Sequence, residues 1–207
     1  VAFLRLSLNR WSREQFISYG KMRGEVESEA IYDMVAERFD NYAHPLLTRA
    51  VLVKRLFDVV TSLPEAEGLL KKLGAEPRDY FHEFVMSIIQ REVSEKWLDK
   101  YGREGVVLLT ADEQVDLLAS IAREMWVGST DVLRQDIIDV VAEMYCDETK
   151  RTPVVSRQIK DKIKIHALLT TQSGRRPGLS FDHEDFKSFF VGVALGNLCS
   201  SSGREDL

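Results

Sequence analysis

Cysteine is nearly absent from this chain: there are two in 207 residues, Cys146 and Cys199, far apart in sequence. Two such cysteines make no disulfide framework, and the default compartment is a reducing cytosol. No apolar run reaches the roughly 20 residues that a bilayer helix needs, and the most apolar one, Phe189 to Cys199, stops well short. A membrane partner is therefore not expected. A signal peptide is not expected either. The chain opens on VAFLRLSL, which has no initiator Met and reads as the middle of a strand, so we expect a piece of a longer protein.

Several chemistries lack their signatures. There is no Gly-x-x-x-x-Gly-Lys-Ser/Thr loop to cradle a triphosphate and no Gly-x-Ser-x-Gly elbow. The four histidines, His44, His82, His166 and His183, include no i, i+4 pair, and Lys187 stands where a zincin starting at His183-Glu184 would need its second ligand. Neither cysteine lies in a nucleophile signature, and the carboxylates are spaced as solvated helix faces. No catalytic residue and no metal ligand is assigned. A net charge of −5 argues against a general nucleic-acid coat, while leaving room for a local basic patch.

What is present reads as an ordinary globular chain, 44% hydrophobic and 29% charged, long enough to bury a core. Val1 to Leu8 reads as a strand. Ser12 and Gln15 have capping-box spacing and open a helix through about Met22, closed by Gly24. A second helix carries Ile31, Met34, Val35 and Phe39. Pro45 suits the first turn of a third, which continues through Val60. Pro64 begins a short helix ending at Gly74, and Pro77 a long one through about Lys100 with Trp97 on its stripe.

Residues 101–109 read as a connector. Thr110 and Glu113 then form a capping box for the next helix. Ser129, Thr130 and Asp131 are expected to cap another, Pro153 to punctuate, and Ser156 to start one more. Ala167 to Leu179 is a hairpin signal around TQSGRRPG, with Gly174 and Gly178 available for positive φ.

The stretch LSFDHEDFKSFFVGVALGNL organises the rest. Asp182 is a good N-cap with Asp185 three residues on, Phe181 and Phe186 fall where a hydrophobic staple would sit, and the helix that follows has a strongly apolar face. His183 falls in the first turn, where free N–H groups and the helix dipole favour anions. Trp11, Trp97 and Trp126 are scattered among few basic residues, which reads as core or interface and not as stacking platforms. Helices followed by a hairpin and another helix predict a mainly α fold: a helical subdomain, then a winged-helix-like one. The expected divisions are residues 1–24, 25–104, 105–199 and a disordered tail, 200–207.

In this order the motifs resemble the distal part of a STAND-type nucleoside triphosphatase of the NACHT branch. VAFLRLSLNRWSREQFISYGKMRG is similar to that family's late P-loop-domain strand and the helix after it. AHPLLTRAVLVKRL is similar to the start of its helical domain, and LSFDHEDFKSFFVGVALG to its winged-helix signature. The resemblance implies that Pro45 packs by the adenine of a bound nucleotide and that His183 contacts the β-phosphate of ADP. It implies ATP or ADP with Mg²⁺ as cofactor, bound only together with a P-loop domain of the parent chain. It also implies homo-oligomerisation of that parent on activation and, in a bacterium, a part in defence signalling. Here Asp182-His183-Glu184 stands where related switches have Met-His-Asp. Two other readings stay open. One is a winged-helix nucleic-acid-binding module with Arg175 and Arg176 as its wing; the other is a helical adaptor that binds a partner protein.

Overall fold

A computed structural model describes residues 9–38, 41–62, 80–101, 105–172 and 178–202. The strand expected over Val1–Leu8, the short helix from Pro64 and the start of the long helix at Pro77 lie outside them. The described residues are mainly helical, with one small antiparallel sheet. The chain divides into two compact units, Val1–Phe84 and Val85–Leu207. The expected subdomain division at 104/105 therefore falls inside the second unit.

Among the described residues the first unit begins with α1 (Arg13–Met22), and the helix start is a complete capping box: Gln15 N–H donates to the Ser12 hydroxyl and Ser12 N–H to the Gln15 side chain. Its end is equally local. Gly24 takes φ +87°, and Glu25 N–H returns to the Gly20 carbonyl at 2.9 Å, closing a Schellman turn that a side chain at Gly24 would strain. Next come α2 (Ser28–Arg38), the single turn α3 (Pro45–Thr48) and α4 (Ala50–Ser62). Phe16 packs edge-on to Tyr32 at 5.3 Å and against Phe57 at 5.0 Å, joining α1, α2 and α4 in one core.

The helix expected to run unbroken from Pro45 is interrupted. Arg49 is extended, and the Thr48 carbonyl, which would have continued the ladder, accepts instead from Trp11 N–H at 2.7 Å. A tertiary hydrogen bond thus wins over helical propensity at that point.

Helix α5 (Tyr80–Glu95) enters the second unit but stops short of the expected Lys100. The segments 97–101 and 105–108 instead lie side by side as the two arms of an excursion, held by a Leu98–Val107 bridge, with Leu108 N–H donating to the Trp97 carbonyl at 2.7 Å. Thr110 and Glu113 then cap α6 (Ala111–Val127) reciprocally, as the spacing predicts. Trp97 is buried, whereas Trp126 is 53% exposed at the end of α6 and so is no core residue.

Beyond α6, Ser129 to Asp131 do not cap a helix. The chain makes a turn with Ser129 at φ 48°, then the two-residue strand β1 (Leu133–Arg134), and only then α7 (Gln135–Glu148). Helix α8 (Pro153–Ile163) starts three residues earlier than expected, because the Thr152 hydroxyl accepts from Val155 N–H and Pro153 takes the first position, where no N–H is needed. The hairpin is present as β2 (Leu169–Gln172) and β3 (Gly178–Phe181), and β1 joins it to give the order β1-β3-β2.

Gly178 serves this sheet by having no side chain, not by a positive φ. It pairs with Arg134, and a Cβ there would run into the Leu133 carbonyl oxygen and the Val132 side chain. Helix α9 (Glu184–Ser202) ends the described chain and packs on α6, burying Phe186, Phe190 and Ala194. It includes Ser200 to Ser202, so the expected disordered tail begins as helix.

Candidate functional site

The two residues singled out for a nucleotide lie at helix starts, one in each unit, and one kind of side chain builds both starts. In the first unit His44 is the N-cap of α3 and Pro45 its first residue, with His44 Nδ1 accepting from Leu46 N–H at 3.3 Å. The Thr48 hydroxyl donates to the His44 carbonyl at 3.1 Å, closing the turn from its other end. Pro45 thus sits where its fixed φ is already helical and its lack of an N–H costs nothing.

In the second unit the N-cap of α9 is His183, one residue later than the expected Asp182. The Asp182 N–H still pairs with the Leu168 carbonyl at 2.9 Å, so the hairpin ladder extends one residue past β3 and shifts the helix start. His183 Nδ1 accepts from Asp185 N–H at 3.2 Å, and its carbonyl accepts from Phe186 N–H at 3.2 Å. Phe181 and Phe186 accordingly lose the staple positions; Phe181 instead stacks on Phe190, with centroids 5.4 Å apart. The Asp185 carboxylate lies 3.2 Å from the same Nδ1.

His166 repeats the arrangement in the core of the second unit. Its Nδ1 accepts from Leu168 N–H at 3.1 Å, and its Nε2 meets the Gln114 side-chain oxygen at 3.2 Å, while Gln114 donates to the Leu109 carbonyl. This histidine and Gln114 are both buried, and the chain of bonds ties the start of α6 to the turn before β2. In the neutral tautomer that accepts at Nδ1, the ring proton sits on Nε2. Sequence spacing did not reveal the shared role, since His-Pro-Leu, His-Ala-Leu and His-Glu-Asp have no pattern in common.

Arg175 and Arg176 lie outside the described residues. Several basic side chains on and beside α8 are engaged in ion pairs. Lys160 pairs with Glu143 at 3.0 Å, Lys164 with Asp139 at 3.3 Å, and Arg151 with Glu113. Lys96 and Lys100 lie near Lys162, about the buried carboxylate of Glu92, which Lys96 approaches to 2.6 Å. Burial and then the charge of Lys100 push the Lys162 amine below its ordinary value, partly offset by Glu92.

A groove lined by Asp116, Tyr145 and Asn197 runs among α6, α7 and α9. Burial pushes the Asp116 carboxyl above its ordinary value, opposed by a hydrogen bond from the Asn197 amide and aided by Asp112 and Glu113. Burial likewise raises the Cys146 thiol, which makes it a poor nucleophile. Among the described residues no group of three or more His, Cys, Asp or Glu side chains converges, and no helix is long and apolar enough to cross a membrane. No family model, no curated protein and no solved structure matches this chain.

Proposed function

We propose that this chain is the regulatory, nucleotide-sensing portion of a STAND-like ATPase switch of the NACHT type, with residues 105–199 as its winged helix. Two things support the winged helix: the succession α6, β1, α7, α8, β2, β3, α9, and the antiparallel order β1-β3-β2. The observation that carries the functional reading is His183 as N-cap of the helix after the hairpin, its Nδ1 held by Asp185 N–H. That tautomer presents Nε2–H, the form that donates to a phosphate oxygen, beside the positive end of a long helix.

ADP and Mg²⁺ would be held chiefly by a P-loop domain of the parent chain. The part left to these residues is to pack Pro45 by the adenine and to offer His183 to the β-phosphate. Closure of the parent then depends on ADP, and exchange for ATP releases the winged helix and permits homo-oligomerisation. Such a latch works only if the closed state binds ADP more tightly than the open one. The nucleic-acid reading rests on Arg175 and Arg176, which lie outside the described residues.

The test is ADP retention by the full-length parent carrying His183→Asn. Asparagine is a strong N-cap, so the helix start survives while the Nε2 donor is lost. The expected result is ADP retention lowered by about tenfold, within the usual range of coupling between sites, together with oligomerisation without a trigger. Retention and oligomeric state that both match the wild type would sink the latch.

A further inference from the structure

The groove among α6, α7 and α9 is a space that the packing of the second unit leaves unfilled. Its floor is built from small side chains where α6 meets α9: Ala119 and Ala194 are 3% and 8% exposed. Alanine on both helices leaves a trough of about 490 Å³, the size of a small-molecule site.

Two features of its walls point to a ligand. The first is Tyr145, which enters from α7 with 9% of its surface exposed and whose hydroxyl has no hydrogen-bond partner among the described residues. A tyrosine hydroxyl this far inside a protein normally finds one. Burial, then the charges of Glu113 and Asp116, raise it above its ordinary value, so it stays a neutral donor and acceptor beside the groove.

The second feature is charge. Asp116 on α6 and Glu148, one turn beyond Tyr145 on α7, both line the groove, and neither pairs with a Lys or Arg among the described residues. The Asp116 carboxylate is met by the neutral Asn197 amide at 3.5 Å. Arg123, which also lines the groove, is engaged by its neighbour Glu124 at 3.5 Å. Glu113 is matched by Arg151, so the excess of negative charge rests on Asp116 and Glu148.

We infer that this groove binds a linear aliphatic diamine. One ammonium sits between the Asp116 carboxylate and the Tyr145 hydroxyl, the methylene stem lies along Ala119 and Ala194, and the second ammonium meets Glu148. An anionic ligand would face both carboxylates. A metal ion would find no converging set of three His, Cys, Asp or Glu side chains among the described residues. The inference does not depend on the nucleotide reading.

The probe is putrescine, titrated into the whole isotope-labelled chain and followed by amide chemical shifts. Saturable shifts should appear at Asp116, Ala119, Tyr145 and Ala194, with an affinity that falls as salt rises. Butylamine, with a single ammonium, should bind about tenfold more weakly. Asp116→Asn keeps the shape of the side chain and should weaken putrescine by about tenfold, while Tyr145→Phe, which removes only the hydroxyl, should weaken it by about threefold. In Glu148→Gln the preference for the diamine over the monoamine should vanish. Absence of saturable shifts at the groove, equal affinity in Asp116→Asn, or equal affinity of the wild type for butylamine would overturn the inference. So would displacement of putrescine by an equal concentration of Mg²⁺, because the site would then belong to an inorganic cation.

Discussion

Truncating Phe190 to alanine should lower the melting midpoint of the second unit more than any surface change in it. Phe190 is fully buried on α9, stacked on Phe181 at 5.4 Å and edge-on to Phe189 at 5.1 Å. It stands where the hairpin and the helix after it share one core, so its removal leaves a cavity that neither a strand nor a helix can move to fill. Phe→Ala changes at such sites cost ~3–5 kcal/mol, which at ~4 °C per kcal/mol is a fall of about 12–20 °C in the calorimetric midpoint. Phe190→Leu, which keeps most of the volume, should recover more than half of that loss. A truncation that barely moves the transition would mean that α9 does not pack on this core.

A loss of similar size is expected for Trp97→Ala, with a second and more local readout. The indole is buried against the edge of His166, with ring centroids 5.8 Å apart. The backbone beside it is pinned by Leu108 N–H on the Trp97 carbonyl and Asp99 N–H on the Val106 carbonyl at 2.8 Å. Removing the ring should therefore cost ~3–5 kcal/mol and release the excursion it anchors. Amide exchange at Asp99 and Leu108 should quicken far more than exchange in the middle of α6. Trp97→Phe should restore much of the protection. If exchange at these two amides is unchanged in the alanine variant, the indole is not what fastens the excursion.

These two residues also mark what the sequence could and could not tell. Phe186 and Phe190 repeat at helical spacing inside a long helix, and periodicity of that kind is a local signal. The caps at Ser12 and Thr110 were equally visible, because each needs only residues three apart. Trp97 keeps the same phase as Ile89 and Val93, so spacing carried it into the helix. What ends that helix is tertiary: the side chain of Gln158 accepts from Lys100 N–H at 2.9 Å and donates to the Asp99 carboxylate at 2.8 Å. No window around residue 97 contains that information.

Strand β1 was hidden for a related reason. Two residues cannot show a period of two, and their pairing depends on the bare backbone of Gly178, which is distant in sequence. The shift of the cap from Asp182 to His183 follows from one hydrogen bond, Asp182 N–H to the Leu168 carbonyl, and a better intrinsic cap loses to it. At the candidate site the sequence identified His183 and Pro45 as residues at helix starts, and both are there. It did not suggest that histidine nitrogens would fasten both starts, since nitrogen acceptors are not among the usual caps.

The proposed switch stands or falls on what is encoded beside this chain. The most direct measurement is to sequence the coding DNA immediately upstream of the Val1 codon. The account predicts, in frame and within a few hundred bases, a Gly-x-x-x-x-Gly-Lys-Ser/Thr loop followed by an apolar strand that ends in acidic residues. An initiator codon directly before Val1 would contradict it, because His183 would then have no P-loop domain in its own chain with which to share a nucleotide.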